Sequence, residues 1–236
     1  MATRAALVTG ASRGIGLALA RALAEDGYAL TLTARKPDGL AAAAAELTAA
    51  GAEVVHRAAN VADEADLQAV VALHASTYGR LDVLVNNAGV GIGAAAGEHT
   101  TKSIDLQLDV NLRSIVILYR ECLEMLRGDG GAQVINLASI AGKIPQPWLS
   151  VYAATKAAVI AYTQAMNREL ATSGVRSVAL CPAFVDTDMT AFIRDVVKRE
   201  EMISTADIVA AMRFVLGLSP AALVSEIVIG RSGESL

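Results

Sequence analysis

The chain has 236 residues, 54% of them hydrophobic and only 4% aromatic, with a formal net charge of −4. Ala, Val, Leu and Ile must fill the interior, as they do where helices pack closely on a sheet, so a disordered chain is excluded. The acidic balance leaves no basic excess to hold a nucleic-acid backbone or an anionic membrane, and no apolar run reaches the roughly 18 residues that a bilayer span requires.

The first apolar run, AALVTG, reaches a glycine turn by Gly10, which leaves no room for a charged segment followed by a removable signal core. A soluble, cytoplasmic protein is expected. The turn itself, TGASRGIG at 9–16, lies between this strand and a helix starting near Ile15. Glycine lets a backbone turn sharply and approach a bound group with no Cβ in the way. The N–H groups and positive dipole end of the following helix suit a pyrophosphate. Gly10, Ser12, Arg13, Gly14, Ile15 and Gly16 are therefore candidate dinucleotide contacts.

The second strand, YALTLTA, runs into Arg35 and Lys36, with no carboxylate where an acidic residue would bind the ribose 2′-hydroxyl of NAD. A forked guanidinium matches phosphate oxygens, so Arg35, with Arg13, is placed for the 2′-phosphate of NADP. NADP(H) is expected in preference to NAD(H).

The pattern continues with the helix LAAAAAELTAAG, the strand EVVHRA, the helix EADLQAVVALHASTYG and the strand LDVLVNNAG. A long helix from about Lys102 to Leu126 follows, then AQVINLAS, a helix over 152–172, VRSVALCP, a helix from near Thr205, and LVSEIVI. Seven strands alternating with six helices, the strands lacking clean in/out alternation, predict an α/β fold: a doubly wound parallel sheet with helices on both faces. No linker or repeat interrupts it, so one domain is expected over 1–236. Cys122 and Cys181 read as reduced, buried small hydrophobes, and His56, His74 and His99 show no ligand spacing, so no metal is expected.

In SVYAATKAAVIAY, Tyr152 and Lys156 stand at i and i+4 on one helix face. A phenol with an ordinary pKa near 10 is a poor base at neutral pH, and a neighbouring ammonium is expected to bring it down. Ser139 ends the fifth strand at the sheet's carboxyl edge, where open α/β sheets bind ligands, and its hydroxyl can reach a substrate oxygen. Asn111 sits inside the long helix although asparagine is a poor helix former, which suggests backbone or water contacts. The segment DTDMTAFIRDVVKREEMIS, 186–204, carries the apolar stripe Met189, Phe192, Ile193, Val196 and Val197. It also carries Arg194, Lys198 and Arg199, which suit either a solvated face or the steering of an acidic carrier protein or acyl-CoA.

Along essentially its full length the chain resembles the short-chain dehydrogenase/reductase family, through TGASRGIG, Asn60-Val61, NNAG at 86–89, Asn111, Ser139, YAATK at 152–156 and Pro182. The resemblance implies the strand order 3-2-1-4-5-6-7 and a tetrad. In it Tyr152 is the acid/base, Ser139 steadies the carbonyl oxygen, Lys156 also binds the nicotinamide ribose, and Asn111 holds a relay water. It implies cofactor contacts from Asn60 and Val61 at the adenine, from Asn87, Ala88 and Gly89, and from Pro182, Val185 and Thr187 at the nicotinamide. It makes 186–204 a substrate lid and the helices at 102–126 and 152–172 a homodimer or homotetramer interface. The reaction implied is NADPH-dependent reduction of a ketone or aldehyde, a 3-oxoacyl thioester being the nearest specific substrate. Oxidation of an alcohol and a non-catalytic NADPH-binding regulator are the alternatives. Ala183 replaces the usual glycine after Pro182. Basic residues that carrier-protein reductases tend to have before strands five and six give way here to Asp129-Gly130-Gly131 and Ser173.

Overall fold

The computed structural model describes residues 4–128 and 130–233; Asp129 and the end of the terminal run, Glu234 to Leu236, lie outside them. Seven strands form one sheet: β1 (Ala5–Thr9), β2 (Ala29–Ala34), β3 (Val54–Ala58), β4 (Val83–Asn86), β5 (Ala132–Leu137), β6 (Val175–Pro182) and β7 (Glu226–Ile229). All neighbours are parallel, in the order β3-β2-β1-β4-β5-β6-β7. This is the order the family resemblance implies.

The crossovers are α1 (Gly14–Glu25), α2 (Pro37–Ala49), α3 (Glu64–Tyr78), α4 (Thr101–Leu108), α5 (Ser114–Leu126), α6 (Ser150–Glu169) and α7 (Thr205–Leu216). Every residue of β1, β2, β4 and β5 is buried, because helices cover both faces and leave no side of the strand for water. Alternate side chains divide between two cores. Ala6 and Val8 join Leu19, Leu23, Leu40 and Met212 on one face, while Leu7 joins Leu67, Val70, Leu118 and Val159 on the other.

Local chemistry sets several ends. Asp63 caps α3 by accepting from the N–H groups of Ala65 and Asp66 at 2.9 and 3.2 Å, and Gly79 closes it with φ 66°. Pro37 opens α2, where its missing N–H costs nothing. His74, for which the sequence favours a structural or solvated role over metal binding, is a core group: its ring nitrogens lie 2.8 Å from Thr31 Oγ1 and 2.8 Å from the Arg80 carbonyl. Both cysteines are free and buried.

One expectation is refined. The long helix expected from Lys102 to Leu126 is helical throughout, from Thr101 to Leu126, but contains a wide π-helical turn, Asp109–Arg113, between α4 and α5. Asn111 lies inside that wide turn and is buried, and its side-chain amide meets the backbone of Val90.

The chain winds from β1 outward to β3, then returns to place β4 on the other side of β1. The carboxyl ends of β1 and β4 therefore feed loops that part in opposite directions, and the crevice between them is where an open parallel sheet takes a ligand.

Candidate active site

The glycine turn fills the crevice beside β4. Gly10 and Gly14 have φ of +65° and +56°, the left-handed region that side chains rarely adopt. A Cβ on Gly10 would stand 2.7 Å from Asn87 Nδ2, and one on Gly16 would overlap the carbonyl of Gly10. Asn87 clamps the turn, its Nδ2 donating to the carbonyls of Thr9 and Gly10 at 2.9 and 3.2 Å. Thr9 Oγ1 accepts from the backbone N–H groups of Asn87 and Ala88, each at 3.0 Å. Sequence reasoning missed Thr9, although a hydroxyl ending an apolar strand was a usable signal. The Arg13 side chain does not cap α1, so the first-turn N–H groups have no side-chain partner. A cradle that excludes Cβ atoms, beside an uncapped helix start, fits a dinucleotide pyrophosphate.

The two expected phosphate binders differ in state. Arg35 is exposed just beyond β2 with no hydrogen-bonding or ionic partner among the described residues. Arg13 is paired with Asp188 at 3.0 Å, both side chains largely exposed. Asn60 and Val61 follow β3 and are fixed by the start of α3: Asn60 N–H donates to Asp66 Oδ2 at 2.8 Å, and Val61 is buried.

Ser139, Tyr152, Lys156 and Asn111 come together past the ends of β4 and β5. Lys156 Nζ donates to the Leu137 carbonyl at 2.6 Å and lies 5.7 Å from the Tyr152 ring centroid. A Cβ on Gly89 would sit 3.5 Å from Asn111 Oδ1 and 3.6 Å from Lys156 Nζ, so the NNAG loop passes over both. Asn111 grips that loop, Oδ1 accepting from Val90 N–H and Nδ2 donating to the Val90 carbonyl, both at 2.8 Å. Its second amide hydrogen goes to Thr155 Oγ1 at 3.1 Å, and Thr155 donates to the Tyr152 carbonyl at 2.7 Å. Thr155, inside the YAATK motif, is a second residue that pattern reading passed over. Both amide hydrogens of Asn111 are thus engaged in protein contacts, leaving one Oδ1 lone pair to hold any relay water.

The electrostatics correct another expectation. Burial pushes the Tyr152 phenol above its ordinary range, and hydrogen bonding with Ser139, not the lysine, pulls the other way. Burial likewise brings Lys156 down to about 8. The ammonium donates to the Leu137 carbonyl and is itself costly to keep charged at this depth.

Beneath these groups lies a buried polar network that sequence reasoning took for plain strand. Asn136 on β5 accepts from Asn86 Nδ2 at 2.8 Å and donates to Tyr119 Oη and Thr163 Oγ1 at 3.0 and 2.9 Å. Tyr119 donates to Ser177 Oγ at 2.9 Å, and Asn167 pairs with the Ser177 backbone. The signal was an asparagine mid-strand, where that residue is depleted.

The opposite wall follows β6. Pro182 ends the strand, Val185 is buried, and Thr187 lies against the glycine turn: a Cβ on Gly14 would be 3.3 Å from its Cγ2. Segment 186–204 forms 3₁₀ turns at Asp188–Ile193 and Arg199–Glu201 and no α-helix. Its apolar stripe splits, with Val197 buried and Met189, Phe192 and Val196 exposed. Arg194 and Arg199 pair with Asp186 at 3.0 and 2.7 Å and so tie the segment to itself, which leaves Lys198 as the cation open to an acidic partner. Among the described residues no group of His, Cys, Asp and Glu could hold a metal ion, and no helix is long and apolar enough to cross a membrane.

The sequence model of the short chain dehydrogenase family matches residues 4–198. The chain belongs to that family. It is 38% identical over 200 residues to the 3-oxoacyl-(acyl-carrier-protein) reductase FabG of Staphylococcus aureus, across 84% of this chain and 81% of the relative. An alcohol dehydrogenase from the archaeon Thermococcus sibiricus, complexed with 5-hydroxy-NADP, superposes with a TM-score of 0.89 at 32% identity, over 98% of this chain and 97% of that one. A 3-ketoacyl-(acyl-carrier-protein) reductase from Brucella melitensis, complexed with NADH, gives 0.88 at 28% identity over 96% of each. As a short-chain family member, the chain is an oxidoreductase.

Proposed function

We propose that the chain reduces a ketone or aldehyde carbonyl to an alcohol with NADPH, a 3-oxoacyl thioester being the favoured specific substrate. The observation that carries this reading is the meeting of Ser139, Tyr152 and Lys156 at the carboxyl edge, next to a glycine cradle that excludes Cβ atoms. The cradle at Gly10 to Gly16 with Asn87, Ala88 and Gly89 would hold the pyrophosphate and nicotinamide half, Asn60 and Val61 the adenine, Pro182, Val185 and Thr187 the carboxamide, and Lys156 the ribose. When bound, the reduced nicotinamide supplies a hydride to the carbonyl carbon. Ser139 orients the carbonyl oxygen, and Tyr152 gives it a proton, so that C=O becomes CH–OH. A phenol held above its ordinary pKa is protonated at neutral pH, which suits an acid for reduction. Oxidation in the reverse direction would need that proton removed first; the Thermococcus alcohol dehydrogenase gives this second reading its support.

The neighbours carry NADP-type and NADH cofactors alike, so the preference for NADPH rests on Arg35, unpartnered where NAD binders place a carboxylate. The described residues form one dinucleotide-binding domain, with 186–204 as its lid. An apolar groove of about 320 Å³ between α4 and α6, lined by Ile104, Leu108, Leu112, Val151 and Ala154, supports burial against a second copy in a homodimer or homotetramer, which light scattering measures.

Following loss of reduced nicotinamide absorbance over a carbonyl panel tests the reaction. Tyr152→Phe is expected to lower turnover about 1,000-fold while changing the NADPH dissociation constant less than about threefold. Retained turnover overturns the reading.

A further inference from the structure

Trp148 is the only tryptophan in the chain and, among the described residues, the one non-glycine residue with positive φ, at 62°. A bulky residue held there is strained by an amount that its surroundings must offset, and such residues gather at functional sites. The strain does not serve to bury the indole, which stays 46% exposed. It serves to place it. The Trp148 carbonyl accepts from Ala94 N–H at 2.8 Å, and a Cβ on Gly93 would overlap the indole ring, so the ring lies against the loop that follows β4. Two residues earlier the same loop passes Tyr152, with a Cβ on Gly91 falling 3.6 Å from its Cδ2. The indole also meets Phe192 edge-on, with ring centroids 5.9 Å apart. Met189 stands three residues before Phe192 in a 3₁₀ turn, whose three-residue repeat puts both on one face. Both are more than half exposed. Three cations of the flanking segments are committed elsewhere: Arg194 and Arg199 to Asp186, and Lys143, in the loop leading to Trp148, to Glu226 at 2.8 Å.

We propose that Trp148, with Phe192 and Met189, is the seat for an apolar chain attached to the reacting carbonyl, and that Trp148 is the residue that sets a preference for longer over shorter acyl chains. The inference rests on the carbonyl-reductase reading above. An uncharged apolar seat one loop step from the phenol rewards each methylene laid on it.

The test uses 3-oxo ethyl esters with acyl chains of four, six and eight carbons as probes, with NADPH saturating. For the natural chain kcat/KM is expected to rise about twofold per added methylene, the gain for a half-buried CH₂. Trp148→Gly, which suits the positive φ and so folds, is expected to flatten that slope, and Trp148→Phe to restore most of it. A slope that Trp148→Gly leaves intact, or a flat slope in the natural chain, overturns the proposal. The lone indole also reports binding without turnover. With NADP present, the ester concentration that half-quenches its fluorescence is expected to fall as the chain lengthens. Were no ester reduced, chain-dependent quenching would uphold the seat and reject the reductase reading, whereas absent quenching would reject the seat.

Discussion

On the β5–α6 side of the cleft, Asn136 is wholly buried and makes three side-chain hydrogen bonds, to Asn86, Tyr119 and Thr163. On the facing side, Asp186 holds the segment 186–204 through Arg194 and Arg199, and Asp188 reaches Arg13 through water-exposed side chains. A buried polar group that loses its partner bears the full desolvation penalty, whereas an exposed ion pair contributes roughly 0–1 kcal/mol. The first wall is therefore fixed in one geometry and the second can be adjusted. That division suits a reaction in which proton and hydride must arrive at one carbonyl while the substrate chain varies.

The sharpest way to break this comparison is Asn136→Leu, which strands the polar groups around it. It is expected to cost about 3 kcal/mol and lower Tm by roughly 6–12 °C, measured by scanning calorimetry. A fall below about 2 °C would mean the network is dispensable.

Next in size is the pH dependence of Lys156. Because burial brings its ammonium down to about 8, that charge disappears as pH rises through 8, and KM for NADPH is expected to increase roughly tenfold between pH 7 and 9.5. Stability moves the other way. The folded pKa lies below the unfolded value of 10.5, so the unfolded chain binds more protons between about 8 and 10.5, and stability rises with pH across that window. Lys156→Met should remove the rise; an unchanged curve would assign it to another group.

The smallest effect sharpens the adjustable wall. Asp188 competes with a 2′-phosphate for Arg13, so Asp188→Asn is expected to tighten NADP binding about two- to fivefold and leave NAD binding unchanged, as read by titration calorimetry. Equal tightening of both dinucleotides would remove Arg13 from the 2′-phosphate site.

Glycines legible as a turn in TGASRGIG are the same glycines whose added Cβ atoms would meet Asn87 or the Gly10 carbonyl, because steric exclusion acts within a few residues of chain and leaves a local mark. The alternation of apolar strands and helices was legible for the same reason. The π-helical turn at Asp109–Arg113 was not, nor were the contacts of Asn111 within it, which reach Val90 and Thr155 across the fold. The Tyr152–Lys156 pairing was visible as spacing, but its electrostatics were misjudged. Periodicity puts two groups on one face without saying how deeply each is buried, or that the Leu137 carbonyl takes the ammonium.

By itself the sequence determined the α/β fold, the place of the nucleotide turn and the short-chain family to which the chain belongs, because these follow from chain-local sterics and from hydrophobic period. Only the tertiary structure decided that burial raises the Tyr152 phenol above its ordinary range, that Arg13 is engaged by Asp188, and that Trp148 is held in a strained turn against Phe192. Desolvation, ion pairing and ring contact depend on which distant residues become neighbours.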